Sequence, residues 1–192
     1  MIPGAAFVVG PGRGSLLLSN QTVLGTSPVA RGGVAIENGA DGLDVKDWSG
    51  RVSSERFYLS APGVPEFDYL AVPGALSATF AFDRNMAPAV CWNTPTGAQF
   101  YWYDSAIPGY TTTAYPGVTN AMVTHDDVRN IAESRSDVVL VYQRAGGVYY
   151  RQQRERYLIE HTIAAEAEGD LIQCGMGNQG RLLVKLLRRP NE

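Results

Sequence analysis

Cysteine is scarce in this chain, which limits what can hold the fold together. The 192 residues include only Cys91 and Cys174. Two cysteines in a chain of this length do not make the dense disulfide framework of small secreted domains. Cysteine is also one of the residue types most often found fully buried. We therefore expect two buried free thiols, with a Cys91–Cys174 disulfide as the alternative.

Long apolar runs and a strong charge of one sign are also missing. The sequence has no stretch of 18 apolar residues, so no membrane span is expected. It opens with MIPGAAFVVGPG, which lacks the basic segment of a secretory signal peptide. A net charge of −3 provides no general attraction for nucleic acid or anionic membranes. We therefore expect no nucleic-acid partner and no membrane insertion.

Catalytic and metal-binding motifs are absent as well. His125 precedes two aspartates, but no further ligand follows at a metal-site spacing, so we predict a turn there. His161 falls between two isoleucines in an alternating pattern, which predicts a histidine within the core. The glycine-rich segment GPGRG at 10–14 lacks the lysine and helix of a phosphate loop. We predict no catalytic residues, no cofactor and no metal, hence no enzyme.

Glycine, proline, tyrosine and arginine are what the chain does contain. It has 21 glycines, 11 prolines and 10 tyrosines, and 45% of its residues are hydrophobic. That combination favours many short strands joined by tight turns around a substantial core. Arginine outnumbers lysine fourteen to two. Arginine suits fixed, bidentate or stacked contacts better than lysine does.

The sequence repeats itself from residue 73 onward. PGALSATFAFD (73–83) and PGVTNAMVTHD (116–126) share Pro, Gly, Ala and Asp at the same positions. Each precedes an apolar strand, a glycine turn and an aromatic pair. Repeats of about 40–50 residues with several strands each are typical of propeller blades and related sheet repeats. We predict repeats at about 73–115 and 116–166, and a partial third at 167–187.

The first 50 residues differ from the rest, with a glycine or proline every few residues and apolar runs of only three. They predict either an extended arm that lies on a neighbouring subunit or a loose strand pair. Residues 51–192 predict one β domain. The predicted fold is therefore mainly β, with propeller-blade-like or β-sandwich sheet repeats and an extended N-terminal arm. Two and a half repeats do not close alone, which predicts that other subunits cover exposed sheet edges.

Residues 137–163, DVVLVYQRAGGVYYRQQRERYLIEHTI, place aromatic and arginine side chains side by side. The pattern predicts a strand at 138–142, a turn at Gly146-Gly147, a return strand at 148–156 and an alternating strand from Tyr157. A helix over 149–163 is the competing interpretation. Tyrosine and arginine are enriched in protein interfaces, and base stacking on a nucleic acid is the alternative. The predicted interface residues are Tyr149, Tyr150, Arg151, Arg154 and Arg156.

Four segments carry a family resemblance: ATFAFDRNMAPAVCW, FYWYDS, SDVVLVYQRAGGVYYRQQRERY and LIQCGMGNQGRLLVKLL. From about residue 78 to residue 187 the chain resembles a family of virion structural proteins of tailed bacteriophages. Its members share an apolar strand ending in an aromatic, a glycine hairpin, a Tyr-Tyr-Arg-Gln-Gln-Arg tract and a glycine-rich close. The resemblance implies a self-assembling structural part of the tail or tail tip, without enzymatic activity.

The expected function is therefore structural: a component of a phage tail, tail tip or baseplate. The protein would be made in the host cytoplasm and reside in the virion, with copies of itself and other virion proteins as partners. The alternative is a module that binds a host-surface receptor or glycan through aromatics such as Tyr110 and Tyr115. A third possibility is a glycan hydrolase relic, which needs two carboxylates within about 10 Å of each other.

Overall fold

Strands account for nearly all of the regular structure. The computed structural model describes residues 5–8, 16–17, 21–22, 29–39, 42–83, 87–125, 138–177 and 182–188, and of residues 5–47, 125, 176 and 177 it describes the backbone alone. The strands are β1 (Ala5–Val8), β2 (Leu16–Leu17), β3 (Gln21–Thr22), β4 (Val29–Gly39), β5 (Gly42–Ser53), β6 (Arg56–Ala61), β7 (Val64–Ala71), β8 (Ser77–Phe82), β9 (Pro88–Thr94), β10 (Gly97–Asp104), β11 (Gly109–Pro116), β12 (Thr119–His125), β13 (Val138–Arg144), β14 (Gly147–Gln152), β15 (His161–Ala164), β16 (Gly169–Gly177) and β17 (Leu182–Arg188). One 3-10 helix covers Gln153–Glu155, and no α-helix occurs among the described residues. The predicted mainly β fold is confirmed.

The strands form four antiparallel sheets. The first sheet has the order β3-β4-β5-β6-β7, the second is β8 to β11 and the third is β12 to β15, each running in chain order. The fourth has the order β1-β17-β16-β2 and so combines both ends of the chain. Chain neighbours are sheet neighbours in the first three sheets, as is usual for consecutive strands.

The predicted repeats correspond to individual sheets. The segment 73–115 contains most of the second sheet, and 116–166 contains the third. The two matched motifs supply β8 and β12, which are the first strands of their sheets. The partial third repeat at 167–187 supplies β16 and most of β17, and β1 and β2 complete that sheet.

The first 53 residues contribute strands to two sheets. β1 pairs with β17 and β2 with β16, while β3 and β4 join β5. A boundary at residue 50 falls inside β5, which pairs with β4 on one side and β6 on the other. Among the described residues the strands form four sheets, and two of these sheets include strands from the first 53 residues.

Each sheet packs face to face on the next. Buried side chains fill the space between the first and second sheets around Phe57 and Phe80, and between the second and third around Phe100 and Leu140. A third cluster around Leu171 joins the third sheet to the fourth. β16 also contacts β3, which brings the fourth sheet back to the first. This cyclic order is that of propeller blades and not of a two-layer sandwich.

The hairpin between β13 and β14 shows how the sequence sets a turn. Arg144 pairs with Gly147, so the loop consists of Ala145 and Gly146. Their φ angles are 48° and 84°, and positive φ at both positions is what a type I′ hairpin turn requires. The turn was predicted at Gly146-Gly147, one residue too late. Gly147 instead begins β14, where a Cβ would lie 2.6 Å from the Tyr149 hydroxyl.

Two amide side chains join consecutive sheets at equivalent positions. Asn93, next to last in β9, donates to the Ala121 carbonyl and accepts from the Ala121 N–H, both at 2.8 Å. Gln143, next to last in β13, donates to the Gly169 carbonyl at 2.8 Å and accepts from the Leu171 N–H at 2.7 Å. In both cases a side chain from the second strand of one sheet bonds the strand that directly follows that sheet in the chain, which is β12 or β16. We call these two contacts the amide clasps.

Candidate functional site

The arginine tract ends a strand and starts a tight loop. β14 stops at Gln152, and Arg156 and Tyr157 both have positive φ, 53° and 57°. The return strand predicted to extend to Arg156 is therefore wrong beyond Gln152, and the competing helix over 149–163 is wrong as well. Strand structure resumes only at His161, so the alternating strand predicted from Tyr157 is wrong in its first half.

Packing of Tyr157 explains the turn. The Tyr157 ring lies between the second and third sheets, with its centroid 4.7 Å from that of Phe100 and 4.8 Å from that of Trp102. Its hydroxyl donates to the Val138 carbonyl at 3.1 Å. A ring buried in this way offsets the cost of two left-handed backbone conformations. Residues 153–160, which we call the tip loop, are thereby fixed against the body of the protein.

Arg151 binds the backbone of the tip loop. Its guanidinium donates to the Tyr157 carbonyl at 2.7 Å, to the Leu158 carbonyl at 3.0 Å and to the Tyr142 hydroxyl at 2.8 Å. The same group pairs with Glu160 at 3.4 Å, and the Tyr142 hydroxyl donates to Glu160. Arg151 was predicted at an interface with another chain, and the structure places its side chain in contacts within its own chain.

Glu160 is the acidic centre of this cluster. Burial alone would raise its pKa, but the hydrogen bond from Tyr142 and the charges of Arg144 and Arg151 lower the pKa below its usual value. Arg144 contacts Glu160 at 2.5 Å. Tyr142 is buried in the core between the second and third sheets. The cluster therefore links β13, β14 and the tip loop within the chain, with Arg144 on its exposed side.

Arg156 ties the tip loop to the second sheet. It donates to Asp104 through Nη2 at 2.6 Å and Nε at 3.2 Å. The hydrogen bond from Arg156 lowers the pKa of Asp104, against a smaller opposing effect of burial, and the Ala106 N–H lowers it further. Asp104 closes β10, so this contact brings the 104–109 turn and the tip loop together. Arg154 is exposed on the same loop and has contacts of its own.

The two tyrosines of the tract point to different sheets. Tyr149 packs against the core between the second and third sheets, and the Arg144 guanidinium lies 5.4 Å from its ring centroid. Tyr150 packs against the core between the third and fourth sheets and stacks on His161 at 4.8 Å. His161 is half-buried and contacts Glu155 at 2.7 Å. It was predicted in the core, and the exposure of the neighbouring Ile159 explains why it is not.

Exposed aliphatic side chains lie in the two loops that the Asp104–Arg156 contact joins. Leu158 is 74% exposed and Ile159 is 53% exposed, both in the tip loop, while Ile107 is 69% exposed in the turn after Asp104. The tip loop also carries Arg154 and Arg156, so the two joined loops together present apolar and basic side chains. We call this set of five residues the tip surface. Its exposed apolar members were not predicted from the sequence, where Leu158 and Ile159 were assigned to a strand.

β11 adjoins the tip surface and forms a sheet edge. It follows the turn that carries Ile107, and within the described residues it pairs with β10 alone. Its eight residues, GYTTTAYP, include no charged side chain and are mostly exposed. Threonine and tyrosine favour extended structure. A long uncharged edge of this kind leaves backbone N–H and C=O groups able to pair with another strand.

Aromatic rings form a row across the first and second sheets. Consecutive centroids are 4.6 to 6.4 Å apart, and the closest pair, Tyr101 and Tyr110, is parallel within 3°. We call this set the aromatic row; its members in order are Trp48, Phe67, Tyr69, Tyr101, Tyr110 and Tyr103. Phe67 and Tyr110 are each 41% exposed. Burial raises the pKa of Tyr69, Tyr101 and Tyr110, so these phenols stay protonated near neutral pH.

A cleft of about 510 Å³ lies beside the aromatic row. It is lined by the end of β7 and the following turn on one side and by β9, β10 and β11 on the other. The lining residues are Leu70, Ala71, Pro73, Gly74, Trp92, Thr94, Thr96, Gln99 and Thr112. Tyr115, which was considered as a sugar-stacking residue, lies elsewhere, packed against the core between the second and third sheets.

The remaining candidate residues have structural positions. Cys91 and Cys174 are both free and buried, as expected, and burial raises the pKa of both thiols. The side chain of His125 and the residues Asp126 and Asp127 lie outside the described residues. Within the described ranges, no group of three or more His, Cys, Asp or Glu side chains is placed to hold a metal ion. No helix in that part of the chain has the length and apolar character needed to cross a membrane.

No protein-family model, curated protein or solved structure matches this chain. The chain has two candidate binding surfaces among its described residues. One is the tip surface with the β11 edge, and the other is the cleft with the aromatic row.

Proposed function

We propose that the protein is a non-catalytic structural subunit of a tailed-bacteriophage virion, which works by assembling with copies of itself or with other virion proteins. The observation that carries this proposal is the tip surface together with the uncharged edge of β11. β11 begins shortly after Ile107, and the Asp104–Arg156 contact joins that turn to the tip loop, so one partner can contact both features at once.

Burial of the exposed aliphatic side chains would favour binding of a partner at the tip surface. Full burial of a Leu or Ile side chain contributes about 1.5–3 kcal/mol, and contiguous apolar patches are uncommon on monomers unless they serve an interaction. Leu158 is held in place because Arg151 binds its carbonyl oxygen. A partner therefore meets an ordered loop and does not have to order it on binding.

Arginines around the apolar residues suit the rim of such an interface. The side chain of Arg156 is 45% exposed although it binds Asp104, so part of its guanidinium remains open to a carboxylate or carbonyl of a partner. The resemblance of residues 78–187 to virion structural proteins supports a position in the tail, tail tip or baseplate. The virion is then where the protein resides after synthesis in the host cytoplasm.

Light scattering coupled to size exclusion tests the assembly role. Wild-type protein should form an oligomer or a complex with a virion partner, and Leu158→Asp should release it, because a charge replaces an apolar contact. Leu76→Asp is the matched control, since Leu76 is 63% exposed but lies in the turn before β8. A wild-type protein that stays monomeric with every virion partner, or equal effects of both variants, would contradict the proposal.

A second candidate function, glycan binding, is favoured by the aromatic row and the cleft. Half-exposed tyrosines combine an apolar ring with a polar hydroxyl, which suits a sugar surface. This function does not compete with assembly, because structural subunits at a tail tip can also contact the host surface.

A further inference from the structure

The cleft between the first and second sheets has the chemistry of a site for an uncharged, hydroxyl-rich ligand. Its volume of about 510 Å³ is in the range of small-ligand sites. Threonine and glutamine side chains supply hydrogen-bonding groups, Trp92 and Leu70 supply apolar surface, and no charged side chain lines it. A ligand that carries a full charge would find no partner there to offset its desolvation.

Two of its polar side chains have no hydrogen-bond partner within the part of the chain that the structure describes. The Gln99 amide and the Thr112 hydroxyl make no hydrogen bond to any described residue, although they line the cleft together. The Trp92 indole, in contrast, donates to the Pro73 carbonyl at 3.3 Å. Gln99 offers both a donor and an acceptor, and Thr112 offers the same through one hydroxyl. Such groups match the vicinal hydroxyls of a sugar.

The aromatic row continues the same face of the second sheet. Gln99 and Tyr101 are alternate residues of β10, and Thr112 and Tyr110 are alternate residues of β11. Alternate residues share a face and lie about 7 Å apart. A ligand bound at Gln99 and Thr112 that extends by one sugar ring therefore reaches Tyr101 and Tyr110. The apolar C–H face of a pyranose packs well on a tyrosine ring.

We propose that this cleft binds a neutral oligosaccharide, with Gln99 and Thr112 as hydrogen-bonding residues and Tyr110 as a stacking residue. The proposal deepens the glycan-binding candidate above and does not depend on assembly through the tip surface. A peptide is less well matched, because the cleft presents neither a charged anchor nor a deep apolar pocket. Nucleic acid is excluded by the same lining, which offers no cation to the phosphates.

Titration calorimetry and saturation-transfer NMR with defined sugars test this proposal. The neutral probes are maltotetraose, cellotetraose and chitotetraose, and the anionic probes are 3′-sialyllactose and a heparin hexasaccharide. Each is measured with wild-type protein and with Gln99→Leu, Thr112→Val and Tyr110→Ala. Thr111→Val is the matched control, because Thr111 is exposed on the same strand but on the opposite face.

At least one neutral probe should bind the wild type. Gln99→Leu and Thr112→Val should each weaken that binding about tenfold, as expected for one lost hydrogen bond, while Thr111→Val leaves it unchanged. Circular dichroism and light scattering should show unchanged folding and assembly in all four variants. Binding of none of the neutral probes, binding of only the anionic ones, or an equal loss in Thr111→Val would overturn the proposal. If no neutral sugar binds but assembly is intact, only the oligosaccharide site is overturned. If a neutral sugar binds but the protein does not assemble, only the structural role is overturned.

Discussion

At the scale of single residues, arginine has two distinct roles in the segment 144–160. Arg151 is mostly buried and satisfies two backbone carbonyls, a phenol and a carboxylate. Arg154 and Arg156 lie on the exposed loop that Arg151 supports. The sequence pattern grouped all of them as one interface tract, because residue type alone does not separate an internal clamp from a surface cation. What separates them is the turn at Arg156 and Tyr157.

Replacement of Arg151 should cost more than that of its neighbours. Arg151→Met keeps much of the aliphatic volume but leaves Glu160 without one partner and two carbonyls without donors. We expect a loss of about 2–4 kcal/mol in unfolding free energy. Urea denaturation followed by fluorescence measures it. Arg154→Ala is the control, with an expected change below about 1 kcal/mol; similar losses in both variants would contradict the assignment of Arg151 as the clamp.

Asp104 should make the tip surface sensitive to acid. Its pKa is lowered in the folded state, chiefly by Arg156, so the pair stabilises the fold above the ordinary aspartate pKa of about 3.9. That contribution is lost as the pH falls through the lower folded-state pKa. Asp104→Asn should lower stability near pH 7 and show a smaller further loss between about pH 5 and pH 2.

Urea midpoints measured across that pH range check this behaviour. Asp68→Asn is a useful comparison, because the Arg56–Asp68 pair is exposed on both sides and should affect stability little. If the pH dependence of Asp104→Asn equals that of the wild type, the Arg156 contact does not form in solution.

At the scale of elements, the amide clasps join consecutive sheets in addition to the buried apolar side chains between them. Asn93 and Gln143 each bond the backbone of the next sheet on both a donor and an acceptor side. Each follows an aromatic residue and lies shortly before a hairpin glycine, Gly97 or Gly147. Equivalent positions with equivalent contacts make the two units true structural repeats of each other.

Loss of a clasp should destabilise the junction between sheets. Gln143→Leu keeps the size of a buried side chain but leaves the Gly169 carbonyl and the Leu171 N–H without partners. Two unsatisfied groups at a buried site cost about 2–5 kcal/mol together. Thermal unfolding by calorimetry measures the loss, with Thr111→Val, at an exposed position, as control. An unchanged melting temperature in Gln143→Leu would show that the clasp contributes nothing.

Many of the strands and turns could be predicted from the sequence, and the ones that were missed have physical explanations. The repeated motifs at 73–83 and 116–126 placed the first strands of two sheets, and the glycines near 146 placed the hairpin within one residue. The end of β14 escaped prediction because Arg156 and Tyr157 adopt positive φ without a glycine to signal it. The amide clasps escaped because an isolated Asn or Gln carries no mark of a long-range partner.

At the scale of the whole molecule, four sheets follow one another in a cycle, and the two ends of the chain meet in the last of them. The N-terminal residues were predicted to form an extended arm or a loose strand pair, because their short apolar runs and many glycines give no amphipathic signal. β1 pairs with β17, which lies more than 150 residues further along the chain. Only the folded chain brings those segments together, so the number of sheets was out of reach from local patterns.

Closure within one chain changes the reason for expecting assembly. Uncovered sheet ends no longer require a second subunit. We expect assembly instead because the tip surface has exposed aliphatic side chains and β11 has an uncharged edge. Both features are local and can be tested one residue at a time.

Site-specific photocrosslinking in intact particles tests directly whether the tip surface contacts another protein in the virion. Benzoylphenylalanine in place of Leu158 reports any protein that covers the tip surface, and the same probe in place of Leu76 serves as the control. We expect purified particles to contain the protein and position 158 to yield an adduct with another copy or another virion protein, while position 76 yields none. Absence of the protein from the particles, or a lack of any adduct at position 158, would contradict it.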